Sequence, residues 1–227
     1  MDINSAVNVC DKGDILLKSY IMQENNQKAY TMSYTLKSID SSKININSLV
    51  GPEIYELMER INPELIEKIY ILNKISEIDT DILILLKPIA KELGMKQKFV
   101  LFRTSKQVTS TNTIIYHNRD LSLIDNELYT SYLNQTGLNL VTYEQMIFNY
   151  GKTVIQFNNI EFDGIKKILN QESSGKIVDL EFSIAFQLLI KDDLPIYMEH
   201  FIGLMFKKLF YNLKQFIDKL NTSYINT

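Results

Sequence analysis

A chain of 227 residues, 45% hydrophobic and 22% charged, has the make-up of a folded protein with a core, not of a disordered chain. A net charge of −3 with only three arginines, Arg60, Arg103 and Arg119, argues against a mainly electrostatic nucleic-acid binder. Cys10 is the only cysteine, so the chain forms no internal disulfide and no cysteine-based metal site, and no apolar run approaches the ~18 residues of a membrane span.

The opening stretch, MDINSAVNVCDKGD, lacks a basic start and a long apolar run and is not expected to act as a signal peptide. Heavy use of Ile, Asn, Lys and Tyr, with no Trp, points to an AT-rich coding genome such as many viruses, phages and some parasites and bacteria carry. Residues 14–23 and 28–39 flank ENNQ, and Tyr30, Met32, Tyr34 and Leu36 alternate. This predicts a β-hairpin with an exposed Tyr/Thr face, and KININSLV adds a short strand. After Gly51-Pro52, the spacing of Ile54, Leu57, Met58 and Ile61 predicts a helix over 52–61, stopped by Asn62-Pro63. NPELIEKIYILNK fits either more helix or a short buried strand at KIYILN.

DTDILILLKPIAKELG reads as a helix, capped at Asp79 or Thr80, kinked at Pro88 and ended by Gly94. KFVLFR is then a strand, and 67–103 becomes a β-α-β unit if KIYILN is a strand too. Residues 104–113 form a polar loop, and TIIYH is a strand. A helix over 120–135 is closed by Gly137, and Thr142-x-x-Gln145 is a capping box opening a short helix that ends at Gly151. TVIQF and IEF make a hairpin about Asn158-Asn159, GIKKILNQ a short helix and ESSG a loop.

The most regular stretch is 178–190, VDLEFSIAFQLLI, in which every even-numbered residue is apolar. Period-2 alternation predicts a strand with that set buried, spanning roughly 40 Å. Asp179 and Glu181 read as its solvent-facing end. Asp192-Asp193-Leu194-Pro195 then turns the chain into a helix of about 25 residues, roughly 38 Å long. Ile202, Phe206, Leu209, Leu213, Phe216 and Leu220 recur on it at spacings of four and three, the seam of a helix that covers the long strand. Phe210, Tyr211 and Ile217 flank the seam and are left for another surface.

The chemical motifs fail one by one. Gly151-Lys152-Thr153 resembles the end of a phosphate-binding loop, but the earlier glycine is Met146. His117-Asn118-Arg119-Asp120-Leu121 and Phe162-Asp163-Gly164 look like fragments of a kinase site, with one insertion and no Gly-rich loop. Asp79-Thr80-Asp81 is a helix start before it is a metal site. His117 and His200 have no metal-ligand spacing, and Cys10 has only Lys12 as an activating neighbour.

The expected fold is therefore α+β. It has a mixed, mainly antiparallel sheet with β-hairpins, the β-α-β unit at 67–103, and a long C-terminal amphipathic helix packed on strand 178–190. It forms one domain, divisible into two lobes (1–103 and 114–227) at the polar loop. The expected function is a non-enzymatic structural or assembly protein, viral or phage in origin, with a protein partner or a homo-oligomer. Nucleic acid is not expected as the principal ligand. The alternatives are a nucleic-acid-associated accessory factor, and an enzyme with Asp79, Asp81 and Arg103 around a pocket on the β-α-β unit. No cofactor, catalytic residue or metal ligand is assigned. The interface candidates are Phe210, Tyr211, Ile217, Tyr30 and Tyr34, and the expected location is intracellular, in cytoplasm or virion.

Overall fold

The computed structural model describes residues 6–12, 14–22, 28–76, 78–88, 95–109, 112–159, 177–189 and 196–223. Alternation of apolar and polar residues builds most of it into ten strands: β1 (Val7–Lys12), β2 (Ile15–Ile21), β3 (Lys28–Asp40), β4 (Ile66–Lys74), β5 (Asp79–Leu86), β6 (Gln97–Val108), β7 (Thr113–Asp120), β8 (Tyr143–Gln145), β9 (Ile147–Asn158) and β10 (Ile177–Leu189). Five helices accompany them: α1 (Ile46–Val50), α2 (Ile54–Ile61), α3 (Leu121–Ile124), α4 (Asn126–Thr136) and α5 (Ile196–Ser223). The strands form one sheet in the order β1-β2-β3-β10-β9-β7-β6-β5-β4, with β8 added to β6. Every neighbouring pair on that path is antiparallel, and only β8 on β6 is parallel.

The centre of the sheet is β10, held between β3 and β9. Its register sets Phe182 between Tyr34 and Ile155, Ile184 between Met32 and Thr153, and Phe186 between Tyr30 and Gly151. Phe182 is 2% exposed, and the even-numbered Val178, Leu180, Ile184 and Phe186 are buried with it, while Glu181 and Ser183 face out. The Tyr34 and Phe182 rings stack with centroids 4.7 Å apart, and Tyr30 stacks on Phe186 at 5.3 Å. Asp179 is structural. Its carboxylate accepts from the Ser38 N–H at 2.7 Å and from Asn159 Nδ2 at 3.1 Å, holding a bulge in the β3–β10 pairing.

Helix α5 crosses the inward face of this sheet, where Leu213 and Ile217 join the core with Leu17, Tyr34 and Phe182. Phe206 meets Phe186 at 5.0 Å and Phe210 meets Tyr34 at 5.8 Å. The approach is close because Gly203 has no side chain: a Cβ there would stand 2.8 Å from Tyr30 Cε1. On the opposite face α3 and α4 cover β5 and β6, burying Leu83, Leu85, Phe99 and Leu101 under Leu121, Tyr132 and Leu133.

These observations correct the expected fold class. The mixed α+β arrangement gives way to one ten-stranded sheet, wrapped on a single long helix with short helices at its margins. The β-α-β unit at 67–103 is an antiparallel β4-β5-β6 meander. Asp79–Leu86 is a strand buried on both faces, so it lacks alternation and its apolar run mimics a helix. Its expected stop at Gly94 lies outside the described residues. Residues 104–113 are not a loop between lobes: β6 runs through Val108 and β7 begins at Thr113. KININSLV holds α1, capped by Asn45 accepting from the Asn47 N–H at 3.0 Å. The capping-box reading of 142–151 fails, since β8 and β9 occupy that stretch. Tyr30 and Tyr34 of the first hairpin face the core instead of solvent. The helix over 120–135 divides at Asp125, which caps α4 through the Leu128 N–H, and Gly137 ends it at φ 66°. The expected IEF strand, GIKKILNQ helix, ESSG loop and Asp192–Pro195 turn lie outside the described residues.

The face of α5 also differs from expectation. It lies chiefly over β3, with β1 and β2 beyond, and reaches β10 through Phe206. Its buried stripe is Met205, Leu209, Leu213 and Ile217, an i, i+4 row. Phe216, expected inward, is 36% exposed, while Ile217, expected on the flank, is 1% exposed. Among the described residues no helix is long and apolar enough to cross a membrane.

The assignment of faces on β10 makes a direct contrast. Phe182→Asp should cost several kcal/mol of a total stability of about 5–15 kcal/mol, while Ser183→Asp should stay within about 0.5 kcal/mol. Urea unfolding measures both, and equal losses would contradict the burial of the even-numbered set.

Candidate functional site

Helix α5 does not fill the hollow of the curved sheet. The amphipathic helix α2 closes one side of that hollow with Tyr55 and Met58. Among the described residues two adjoining chambers remain. The outer is bounded by Leu49, Val50, Pro52 and Ile54 of the α1–α2 segment, by Tyr34, Phe182 and Ile155 of the sheet, and by Thr104 and Tyr116. The inner is bounded by Ile66, Ile69, Ile84, Leu86, Val100, Phe102, Phe148 and Phe186, with Phe206 and Leu209 from α5. Tyr55, Met58, Asn118, Thr153, Ile184 and Phe210 border both.

A water-sized sphere can place its centre over about 70 Å³ in the outer chamber and about 80 Å³ in the inner. One water needs only ~10–15 Å³ on that measure. The space therefore exceeds an ordinary packing defect, and its apolar lining gives water few partners. An empty chamber of this size costs about 2 kcal/mol in lost contacts, which an apolar occupant would recover.

Polar bonds hold the walls apart. Asn62, at the end of α2, donates from Nδ2 to the Met58 carbonyl at 3.0 Å and the Leu209 carbonyl at 3.4 Å, and its Oδ1 accepts from Asn212 Nδ2 at 2.8 Å. This ties α2 to α5. The Tyr116 hydroxyl donates to the Val50 carbonyl and ties β7 to α1. Glu59 accepts from the Ile69 N–H at 2.7 Å and ties α2 to β4. Gly151 opposite Phe186 leaves room for the Phe148 ring, which a Cβ would strike, and that ring lines the inner chamber.

Among the described residues no charged side chain lines either chamber. Two polar atoms within them lack a hydrogen-bond partner: the Tyr34 hydroxyl and Asn118 Oδ1. Tyr34 is 3% exposed and Asn118 8% exposed. Burial pushes the Tyr34 phenol far above its ordinary pKa, so it stays an O–H donor across the physiological range. Burial likewise raises Tyr55 and Tyr116.

The charged groups singled out in the sequence are engaged elsewhere. Asp79-Thr80-Asp81 opens a strand, not a helix. Asp81 is fully buried and takes a two-point contact from Arg103, Nε at 2.7 Å and Nη2 at 2.9 Å, and a third bond from the Tyr132 hydroxyl at 3.1 Å. The Asp81 side chain lies on the α4 face of the sheet and lines neither chamber. Asp120, from the kinase-like run, accepts from the Ser122 N–H at 3.0 Å, Gln145 Nε2 at 2.8 Å and the Phe148 N–H at 2.9 Å. Gly151-Lys152-Thr153 lies within β9.

Three of the five interface candidates lie in the core and two at its margin. Tyr30, Tyr34 and Ile217 are core residues, and Phe210 and Tyr211 are half-buried against them. Among the described aromatics of α5, Phe206 and Phe210 meet the sheet, while Phe216 is 36% exposed. Only Tyr34 and Phe210 of the five border a chamber. Sequence reasoning missed Asn118, Tyr55, Phe102 and Phe148. One signal was present: Ile114, Tyr116, Asn118 and Asp120 share the parity that faces inward, so Asn118 is a polar residue at a core position.

No protein family and no curated protein matches this chain in sequence. Solved structures match it in shape. Human StAR-related lipid transfer protein 5 aligns at a TM-score of 0.66 and 8% identity, over 97% of this chain and 89% of that one. The lipid transfer and protein localization domain of human StarD13 aligns at 0.61 and 8%, over 93% and 88%. A STAR-related lipid transfer protein fragment from Xanthomonas axonopodis aligns at 0.56 and 8%, over 96% and 99%. The chain thus has the fold of StAR-related lipid transfer domains. With this fold and its internal chambers, the expected viral or phage assembly protein, principally bound to a protein partner or to copies of itself, is overturned, and the β-α-β unit on which the enzyme alternative rested is an antiparallel meander. Sheet and helix close on each other about a cavity.

The unpartnered hydroxyl has a measurable cost. Tyr34→Phe keeps the stacked ring and removes the orphaned donor, so it should raise the stability of the ligand-free chain by about 1–2 kcal/mol, a rise in Tm of roughly 2–6 °C. A lower Tm in calorimetry would show that the hydroxyl has a partner.

Proposed function

We propose that this chain binds a hydrophobic, lipid-like small molecule in the chambers between the sheet and α5, and carries it out of contact with water. The observation that carries this reading is a cavity lined mainly by apolar side chains from the sheet, α2 and α5, with no charged group among the described lining. Burying apolar ligand surface there is favourable by about 25 cal/mol per Å². The names of the three structures aligned above, each a lipid transfer protein or domain, support the same reading.

The chambers are narrow as they stand, so a ligand must displace side chains as it enters. Met58 of α2 and Phe210 of α5 line both chambers, and Phe206 of α5 lines the inner one. Met58 is unbranched and adapts readily. The few polar bonds between α2 and α5, at Asn62 and Asn212, are the contacts that a widening would strain first. We also infer an intracellular setting, because a chain with one cysteine needs no oxidising compartment. With the assembly reading gone, a virion has no support.

Nile red, an uncharged dye that brightens in apolar surroundings, tests the proposal. The chain should bind it saturably, one dye per chain. Ile184→Phe puts a larger ring where both chambers meet. It should keep a cooperative melt, since added bulk in open space costs little, and weaken the dye at least tenfold. No saturable binding, or unchanged binding by the variant, would contradict the cavity as the site.

A further inference from the structure

The kinase-like run has a side that the cavity does not use. Tyr116 and Asn118 of β7 border the chambers, so His117 and Arg119, of opposite parity, face the outer surface of the sheet. The ladder between β7 and β9 stops at Asn118 opposite Gly151. Beyond that pair the two strands part. A cleft opens there, with His117 and Arg119 from β7 on one wall and Asn149 and Tyr150 from β9 on the other. A water-sized sphere can place its centre over about 170 Å³ in it, where one water needs only ~10–15 Å³. The exposed Leu123 and Ile124 of α3 also line it.

The register gathers positive charge at this place. Arg119 lies directly opposite Arg103, and Lys152 directly opposite His117, all on the outer face. Side chains so placed start about 4.5–5.5 Å apart at Cβ, where like charges repel. Arg103 is neutralised by Asp81, with Asp79 and Asp125 near it. Among the described residues, the side chains of His117, Arg119 and Lys152 have no hydrogen bond or ion pair. Asp120 is the only acid in the described lining, and its two oxygens are taken by Ser122, Gln145 and the Phe148 N–H. Arg119 and Lys152 against Asp120 leave an excess of positive charge, in a chain whose net charge is −3.

The lining is also rich in donors. Arg119 offers a fork of N–H groups, and the His117 imidazole offers an N–H in either protonation state. Asn149 keeps one amide N–H beyond the one it gives to Gln187 at 2.8 Å, and burial raises the Tyr150 phenol, which therefore keeps its proton. These donors come from both walls. A planar carboxylate is met by the guanidinium fork alone, whereas a tetrahedral phosphate presents oxygens to both walls at once. A phosphate monoester also carries roughly −1.5 to −2 charge at pH 7, enough to offset the excess.

We propose that the cleft between β7 and β9 is an anion site for inorganic phosphate or a phosphate monoester, gripped by Arg119 and bonded by His117 from the same strand and by Asn149 and Tyr150 from the facing one. Leu123 and Ile124 lie against the organic group that such an ester carries. The site goes beyond the cavity reading and does not rest on it, since Arg119 lines neither chamber.

Two probes separate the sources of such a phosphate. Inorganic phosphate, titrated into the full chain at constant ionic strength and followed by calorimetry, represents a soluble one. Phosphatidylcholine vesicles carrying phosphatidic acid represent a lipid headgroup, with phosphatidylglycerol at equal surface charge as the diester control. Arg119→Gln should weaken binding about tenfold, and Arg119→Lys about threefold, because lysine keeps the charge and loses the fork. Arg119 is exposed, so both variants keep the fold. Lys87→Gln makes the same change of charge outside the cleft and should leave binding unchanged. Saturable binding of inorganic phosphate with this pattern supports the site and shows that a soluble phosphate suffices. Capture by phosphatidic acid vesicles alone, with the same pattern, supports it with a lipid headgroup as the source. No binding of either probe, equal capture by phosphatidylglycerol vesicles, or equal weakening by Arg119→Gln and Lys87→Gln would overturn the phosphate site and leave the cavity reading untouched.

Discussion

The apolar row on the inward face of β10 is the constraint on which the rest of the molecule depends. Phe182, Ile184 and Phe186 lie at the middle of the sheet, paired with β3 on one side and β9 on the other. Full burial of such side chains is worth about 1.5–3 kcal/mol each, and it requires a cover. Helix α5 is that cover, brought close by Gly203 against Tyr30 and by the rings of Phe206 and Phe210. The sheet is wider than one helix. It curves around α5, and beyond the contact line the walls separate, so the hollow follows from geometry as much as from any single residue.

What was legible in the sequence follows the same division. Strands buried on one face alternate, so β3 and β10 were legible as strands; β10 was read to the right face, whereas the tyrosines of β3 were expected outward and are buried. Strands β5 and β6 are buried on both faces, by the cavity wall and by α4, so their alternation vanishes and DILILLKP resembles a helix. A parallel β-α-β unit and an antiparallel meander then differ only in that one segment. The terminal helix was legible as a helix, but its inward stripe was not. A seam of alternating three and four assumes a flat or helical partner, whereas a curved sheet also buries Ile217 and holds Phe210.

The site was hardly legible at all. A catalytic centre announces itself by charge and spacing, but an apolar cavity is made of the same residues as a core. Leu, Ile and Phe that leave a gap cannot be told from those that fill one without coordinates. The charged residues that attracted attention, Asp81, Arg103 and Asp120, form closed hydrogen-bond clusters that position strands. The informative residues were the quiet ones. Tyr34 and Asn118 occupy inward positions of their strands while carrying polar atoms without partners, an arrangement that lowers stability.

The central claim is that the space beneath α5 is a ligand site and not a flaw in packing. Native mass spectrometry of the whole chain, after incubation with a total lipid extract and removal of excess lipid, tests it most directly. The account predicts a second species, heavier by the mass of one lipid, that vanishes on denaturation and is diminished in Ile184→Phe. A spectrum showing only the bare chain, or several lipids bound equally to the wild type and the filled variant, would contradict it.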